Sequence, residues 1–168
     1  MRRLLALVLL IGCTLAIAPA VARAEVAWRT WDAGLAAAQS AQRPVLVDVY
    51  TDWCGWCKRM DADVYSRAEV ANYLASHFVT VRLNAESEAA VRYKNQRFSG
   101  RSLAAEFDVS GYPTTIFLTS TGEHLVNVPG YVAADRFLLL LRFIGDGHMD
   151  RGETWDAYVK STKTEQRP

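Results

Sequence analysis

The chain has 168 residues with 19 basic and 18 acidic side chains, a formal net charge of +1 and 51% hydrophobic residues. That balance contains no run of like charge, which argues against a nucleic-acid-binding protein or one held on an anionic membrane surface. The length suits one ordinary domain with room for a core, and three cysteines are too few for a small scaffold stapled by disulfides.

In chain order, Arg2 and Arg3 precede the apolar run from Leu4 to Ala22, and Ala22-Arg23-Ala24 closes it. These are the basic, apolar and A-x-A parts of a secretory signal peptide over residues 1–24, so cleavage after Ala24 and export to the periplasm or beyond are expected. Two other readings stand beside this one. The run approaches the roughly 20 residues that cross a bilayer, which fits a retained anchor. Leu10-Ile11-Gly12-Cys13 is similar to a lipoprotein processing box, which would put lipid on Cys13. Removing Arg2, Arg3 and Arg23 leaves 16 basic residues against 18 acidic ones. Cys13 then leaves with the signal or carries lipid, so Cys54 and Cys57 are the thiols of the mature chain.

The mature chain, 25–168, is expected to be a single domain without repeats or linkers, extended from about residue 147 by a short helix anchored by Trp155 and Tyr158. Trp31 to Ala41 reads as a helix stopped before Pro44. Val45 to Tyr50 is a nearly continuous apolar run, the pattern of a buried strand. Gly55 to Ala62 is helix-compatible, and Ser66 with Glu69 predicts a capping box for a further helix reaching Leu74. Phe78 to Leu83 alternates like a strand. The polar stretch from Asn84 to Gly100 has no clear period, with a solvated helix over Glu86 to Gln96 as its best reading. A short helix over Ser102 to Phe107, strands over Thr114 to Leu118 and His124 to Val128, and an amphipathic helix from Ala133 to Ile144 complete the pattern. Strands alternating with helices and then a hairpin predict an α/β sheet covered by helices on both faces.

The stretch Val47 to Met60, VDVYTDWCGWCKRM, sets two cysteines three residues apart where the apolar strand gives way to the helix. A structural disulfide, half a metal site and a working redox couple all fit a bare C-x-x-C. The structural reading is weak, because so short a closed loop removes little entropy from the unfolded chain. Zinc needs two more ligands, and His77, His124 and His148 lack the spacing to supply them, although copper held by both thiolates and one histidine would make a metal-binding assembly factor. A peptide-holding module with idle cysteines is a third class. As a redox couple, Cys54 at the N-terminus of a helix opened by Gly55 is the candidate nucleophile, since unpaired N–H groups there favour thiolate. Cys57 lies one turn away, in reach to resolve a mixed disulfide. Asp48, a carboxylate inside an apolar strand, is the candidate proton acceptor for Cys57, or else an aspartate bonded to backbone at the strand end.

Trp53-Cys54-Gly55-Trp56-Cys57-Lys58 after an apolar strand that contains Asp48, together with Gly111-Tyr112-Pro113-Thr114 opening a later strand, resembles the thioredoxin family from about Trp28 to Ile144. The similarity is nearest to exported members with a W-C-x-x-C-K motif. It implies a thioredoxin fold with a central mixed sheet and a thiol-disulfide oxidoreductase that needs no cofactor. The catalytic residues it implies are Cys54, Cys57 and Asp48, acting on protein disulfides. Pro113 is expected to be cis and to leave the Tyr112 backbone free for an extended substrate. Trp53, Gly55 and Trp56 are expected at the substrate rim, Trp56 standing where thioredoxins usually carry proline. Arg82 aligns with a family lysine near the aspartate. Two readings apply to it, an ion pair with Asp48 or a solvated strand end. Gly130 matches a family glycine near the rim. A reductase in an oxidising compartment would be recharged by a membrane thiol transporter, and a monomer is expected.

Overall fold

The computed structural model describes residues 25–165; the expected signal segment and Cys13 lie outside the described residues. Helix α1 (Trp31–Ala41) buries Trp31, Gly34 and Ala38 and ends with Gln42 in the left-handed region, two residues before Pro44. Strand β1 (Val45–Tyr50) then crosses the molecule with five of its six residues buried. A run of β-branched and leucine side chains fits this position because β1 is interior to the sheet and covered on both faces.

The sheet has the order β2-β1-β5-β6. β2 (Val79–Asn84) lies parallel to β1, whereas β5 (Thr114–Leu118) pairs antiparallel with β1 and with β6 (His124–Pro129). The mixed α/β sheet expected from the sequence is therefore present, with the hairpin β5–β6 at one edge. Side chains alternate across it. Val45, Val47 and Val49 join Trp31 and Ala38 of α1 and Leu103 of α4 (Gly100–Glu106) on one face. Leu46 joins the opposite core, built from Met60 of α2 (Gly55–Met60), Val70 and Leu74 of α3 (Ala68–His77), and Phe137 and Leu141 of α5 (Ala134–Gly145). Each such side chain contributes about 1.5–3 kcal/mol on full burial. The pleat assigns Asp48 to the Leu46 face, beneath α2.

Three sequence expectations are corrected. The helix expected over Gly55 to Ala62 is α-helical only to Met60 and then widens into a π turn over Asp61–Tyr65, closed by Ser66 N–H donating to the Asp61 carbonyl at 3.1 Å. Ser66 and Glu69 form no capping box. Ser66 leaves that turn in helical geometry, its hydroxyl donates to the Ala62 carbonyl, and Glu69 is taken by Arg67. The segment read as a solvated helix over Glu86 to Gln96 is instead a hairpin of β3 (Val91–Tyr93) and β4 (Gln96–Phe98), turned by Lys94 and Asn95, both at positive φ. Two consecutive positive φ values are the two-residue hairpin geometry whose twist matches the strands. The hairpin is tied to α1 by Trp31 Nε1 donating to the Arg92 carbonyl and Arg92 N–H donating to Asp32, both 2.9 Å.

α4 is capped reciprocally by Ser99 and Ser102. Its first residue, Gly100, has no room for a side chain, since a Cβ there would collide with the Asn84 carbonyl. That contact sets the base of the loop after β2 close to the sheet. α6 (Trp155–Glu165) packs Trp155 and Tyr158 against Phe143 of α5, at ring separations of 5.6 and 5.4 Å. Among the described residues no helix is long and apolar enough to cross a membrane.

Candidate active site

Cys54 is the N-cap of α2, with an extended backbone, and its Sγ accepts the Cys57 N–H at 3.0 Å. The two sulfurs are joined in a disulfide. Cys54 is 4% and Cys57 6% exposed, so the pair sits at the bottom of a rim. That rim is aromatic. Trp53 and Trp56 are the exposed large hydrophobic side chains of the described chain, at 67% and 57%. Trp53 meets Tyr112 edge-on at 6.1 Å and donates its indole N–H to Glu86 at 3.0 Å. Trp56 leans on Tyr131 at 5.5 Å, with the Arg59 guanidinium over its ring. The Tyr112–Pro113 peptide is cis, Pro113 is buried, and its carbonyl accepts the Gly130 N–H at 2.8 Å. Gly130 has φ +82°, a turn that sets Tyr131 opposite Trp56. Nothing lies within 4 Å of the place a Gly55 side chain would occupy, leaving the approach to the disulfide open on that side.

Asp48 is 2% exposed and in register with Arg82 of β2 and Thr115 of β5. Of the two readings for Arg82, the structure has the ion pair: Arg82 Nε donates to Asp48 Oδ2 at 3.2 Å. Arg82 also pairs through its other arm with Asp61 and lies over the Trp28 ring at 4.5 Å. Tyr65 donates its hydroxyl to Asp48 Oδ1 at 3.5 Å. Burial pushes the Asp48 carboxyl up to about 6, Arg82 and the Tyr65 hydrogen bond pull it down, and Asp61 pushes it up. Desolvation outweighs the cation, so the ion pair with Arg82 does not bring Asp48 down to the ordinary carboxylate range. Burial, then the neighbouring Asp48, raise the Tyr65 hydroxyl well above the usual tyrosine range, so it serves as a donor.

Asp61, Tyr65, Glu86 and Tyr131 were not singled out from the sequence. Asp61 stands four residues beyond Cys57, a spacing that signals a shared helix face, and Tyr131 directly follows Gly130; these were the available signals. The histidines are occupied elsewhere: His77 beside Asp146, His124 with Asn127, and His148 with Glu153. Among the described residues no group of three or more histidine, cysteine or acidic side chains converges as a metal site. The geometry gives the copper reading no support.

The sequence profile of the thioredoxin-like domain matches residues 31–145. The thiol:disulfide interchange protein DsbD of Ralstonia nicotianae is 33% identical over 112 residues, 66% of this chain but 17% of that protein, so the chain spans only a small part of these longer relatives. The disulfide bond reductase DsbH of Chlamydia pneumoniae is 25% identical over 130 residues, covering 73% of this chain and 78% of that one. The solution structure of a thioredoxin from Thermus thermophilus superposes with a TM-score of 0.63 at 25% identity, over 77% of this chain and 94% of the other. With the profile spanning most of its length and a bonded Cys54–Cys57 pair at the mouth of that fold, the chain belongs to the thioredoxin-like family and carries the C-x-x-C couple of a thiol-disulfide oxidoreductase.

Proposed function

We propose that the protein is an exported, periplasmic thiol-disulfide oxidoreductase working as a disulfide reductase on protein substrates. The observation that carries this reading is the placement of Cys54 as an N-cap whose sulfur receives a backbone N–H, bonded to Cys57, with a buried carboxylate on the sheet face beneath the same helix. In the reduced protein that N–H favours the Cys54 thiolate, which attacks one sulfur of a client disulfide; the other client sulfur leaves as a thiolate and takes a proton from water. Cys57 then gives its proton to Asp48 and attacks Cys54. The second client sulfur departs, two electrons have passed to the client, and the Cys54–Cys57 disulfide remains. An acid whose midpoint lies about 6 is placed to accept that proton near neutrality.

A buried acid under the helix and the absence of histidine between the cysteines favour reduction over oxidation, and the relative named a disulfide bond reductase agrees in direction. The expected signal peptide supports export, and the electrons would then come from a membrane thiol transporter. One thioredoxin-like domain plus α6 would act as a monomer. Equilibration of the couple with glutathione, followed by tryptophan fluorescence on metal-free protein, is expected to give a potential near thioredoxin's, about −270 mV. A value near the ~−120 mV of a strong oxidant would reverse the direction.

The aromatic rim is assigned to client binding, with Trp53 and Trp56 as walls, Gly55 as the open floor, and the Tyr112 backbone beside Pro113 as the strand-like contact. Truncating an exposed aromatic anchor commonly loses more than 1 kcal/mol of binding. Trp56→Ala is therefore expected to raise KM for a protein disulfide about tenfold while turnover of a small aliphatic disulfide stays near the parent's. Equal losses on both substrates would show that Trp56 acts on the chemistry instead.

A further inference from the structure

A cleft of about 430 Å³ opens beside the sheet, lined by Val26, Trp28, Asp61, Tyr65, Ser66 and Arg82 among others. Its lining includes Arg82, Asp61 and Tyr65, the side chains that act on Asp48, and none of the rim residues Trp53, Trp56, Tyr112 and Tyr131. Arg82 spans its inner end, with one nitrogen on Asp48 and another on Asp61, while Trp28 supports the guanidinium. The two carboxylates differ in surroundings: Asp48 is 2% exposed and Asp61 45%. We propose that Asp61 is a positioning residue that shares Arg82 with Asp48, so that the cation stays compensated when Asp48 takes the proton of Cys57, and that this proton then leaves through the cleft.

The reasoning is a charge balance. If Arg82 had Asp48 as its sole partner, protonating Asp48 would strand a half-buried guanidinium, and the pair would resist the proton transfer that the resolving step needs. With Asp61 on the other arm, one anion remains beside the cation in either state. Arg82 carries no proton itself, because guanidinium does not titrate in this range. The proton passes from Cys57 Sγ to Asp48 and then to water by way of the cleft, while the Cys57 sulfur forms its bond to Cys54 and the Cys54–client bond breaks to release the client thiolate. The π turn makes the arrangement, for it brings Asp61 to Arg82 and Tyr65 to Asp48 from a single turn.

The groups around Asp48 are Arg82 and Thr115 from the flanking strands and Asp61 and Tyr65 from the π turn; Lys58 and Arg59 of α2 are exposed, and Glu25 lines the cleft. Of these, Asp61 can be changed without touching the disulfide. The role of Asp61 in catalysis rests on the reductase reading, but its hold on Asp48 can be measured separately, by following the Asp48 carboxyl carbon by NMR against pH in the disulfide form. Asp61→Asn is expected to lower the Asp48 midpoint by about one pH unit, with the acid limb of mixed-disulfide resolution moving the same way. In an Arg82→Met background, or Arg82→Gln where that variant folds poorly, the effect of Asp61→Asn is expected to shrink to less than half. An unmoved midpoint in Asp61→Asn, or a shift just as large without the arginine, would overturn the proposal. A parent protein that reduces no disulfide would sink the reductase reading, and the NMR titration would still decide whether Asp61 acts on Asp48 through Arg82.

Discussion

Cys57→Ser is expected to convert the protein from a catalyst into a trap. Cys54 keeps its place at the N-cap of α2, where the residue 57 N–H points at its sulfur, so the first attack on a client disulfide proceeds. The second does not, since a serine hydroxyl cannot displace the client by thiol exchange. Steady-state reduction should fall by about a thousandfold or more, while non-reducing gels show one client per chain in a covalent adduct that dithiothreitol dissolves. Cys54→Ser should lose the same activity and form no adduct, because Cys57 stands inside the first turn of α2 and lacks the N-cap position whose N–H contact favours a thiolate at Cys54. The pair of variants separates the candidate functions. A peptide-holding module with idle cysteines would keep its activity in both, and a structural disulfide would change stability in both without any adduct. Release of client from Cys57→Ser at the parental rate would remove Cys57 from the mechanism.

How much of the molecule is legible in its sequence depends on how local each feature is. β1 is read with its observed limits because Pro44 and the run from Val45 to Val49, apolar but for Asp48, are unambiguous within six residues, and α1 likewise between Trp31 and Ala41. Cys54, Cys57, Asp48 and Pro113 lie in or beside such elements. The hairpin β3–β4 escapes a sequence reading because each strand has three residues and the turn is made by Lys94 and Asn95, of which only asparagine commonly adopts positive φ. The false capping box has a different cause. Ser66 and Glu69 have the right spacing, but whether Ser66 is extended depends on how the chain arrives, and it arrives in helical geometry from a π turn. That turn also hides Asp61 and Tyr65. The helix read from the sequence stops at Ala62, so it gives no reason to bring Tyr65 to the Asp48–Arg82 pair.

Asp48→Asn is expected to stabilise the protein at neutral pH while impairing it. The Asp48 carboxyl is raised from 3.8 to about 6 by burial, so between those values the folded protein binds a proton that the unfolded chain does not. A raised midpoint contributes stability that is fully present below the unfolded value and is lost as pH rises through the folded one. The shift corresponds to about 3 kcal/mol, which the parent forfeits between pH 4 and pH 7 and the neutral asparagine does not. Urea unfolding of the disulfide form at pH 4, 5.5 and 7 should therefore show the variant gaining on the parent at each step, with most of the gain complete by pH 7. A constant difference across that range would mean that Asp48 does not titrate as a buried acid. Asparagine keeps the size of the side chain and can still accept from Tyr65, and Arg82 retains Asp61, so neither packing nor an orphaned cation should mask the effect. The same variant has no base for Cys57, and resolution of the mixed disulfide should slow by about a hundredfold at pH 7. A more stable but slower enzyme is the expected outcome if the ionised carboxylate is retained for proton transfer. Stabilisation with unchanged resolution would leave Asp48 as a buried acid without a part in the chemistry.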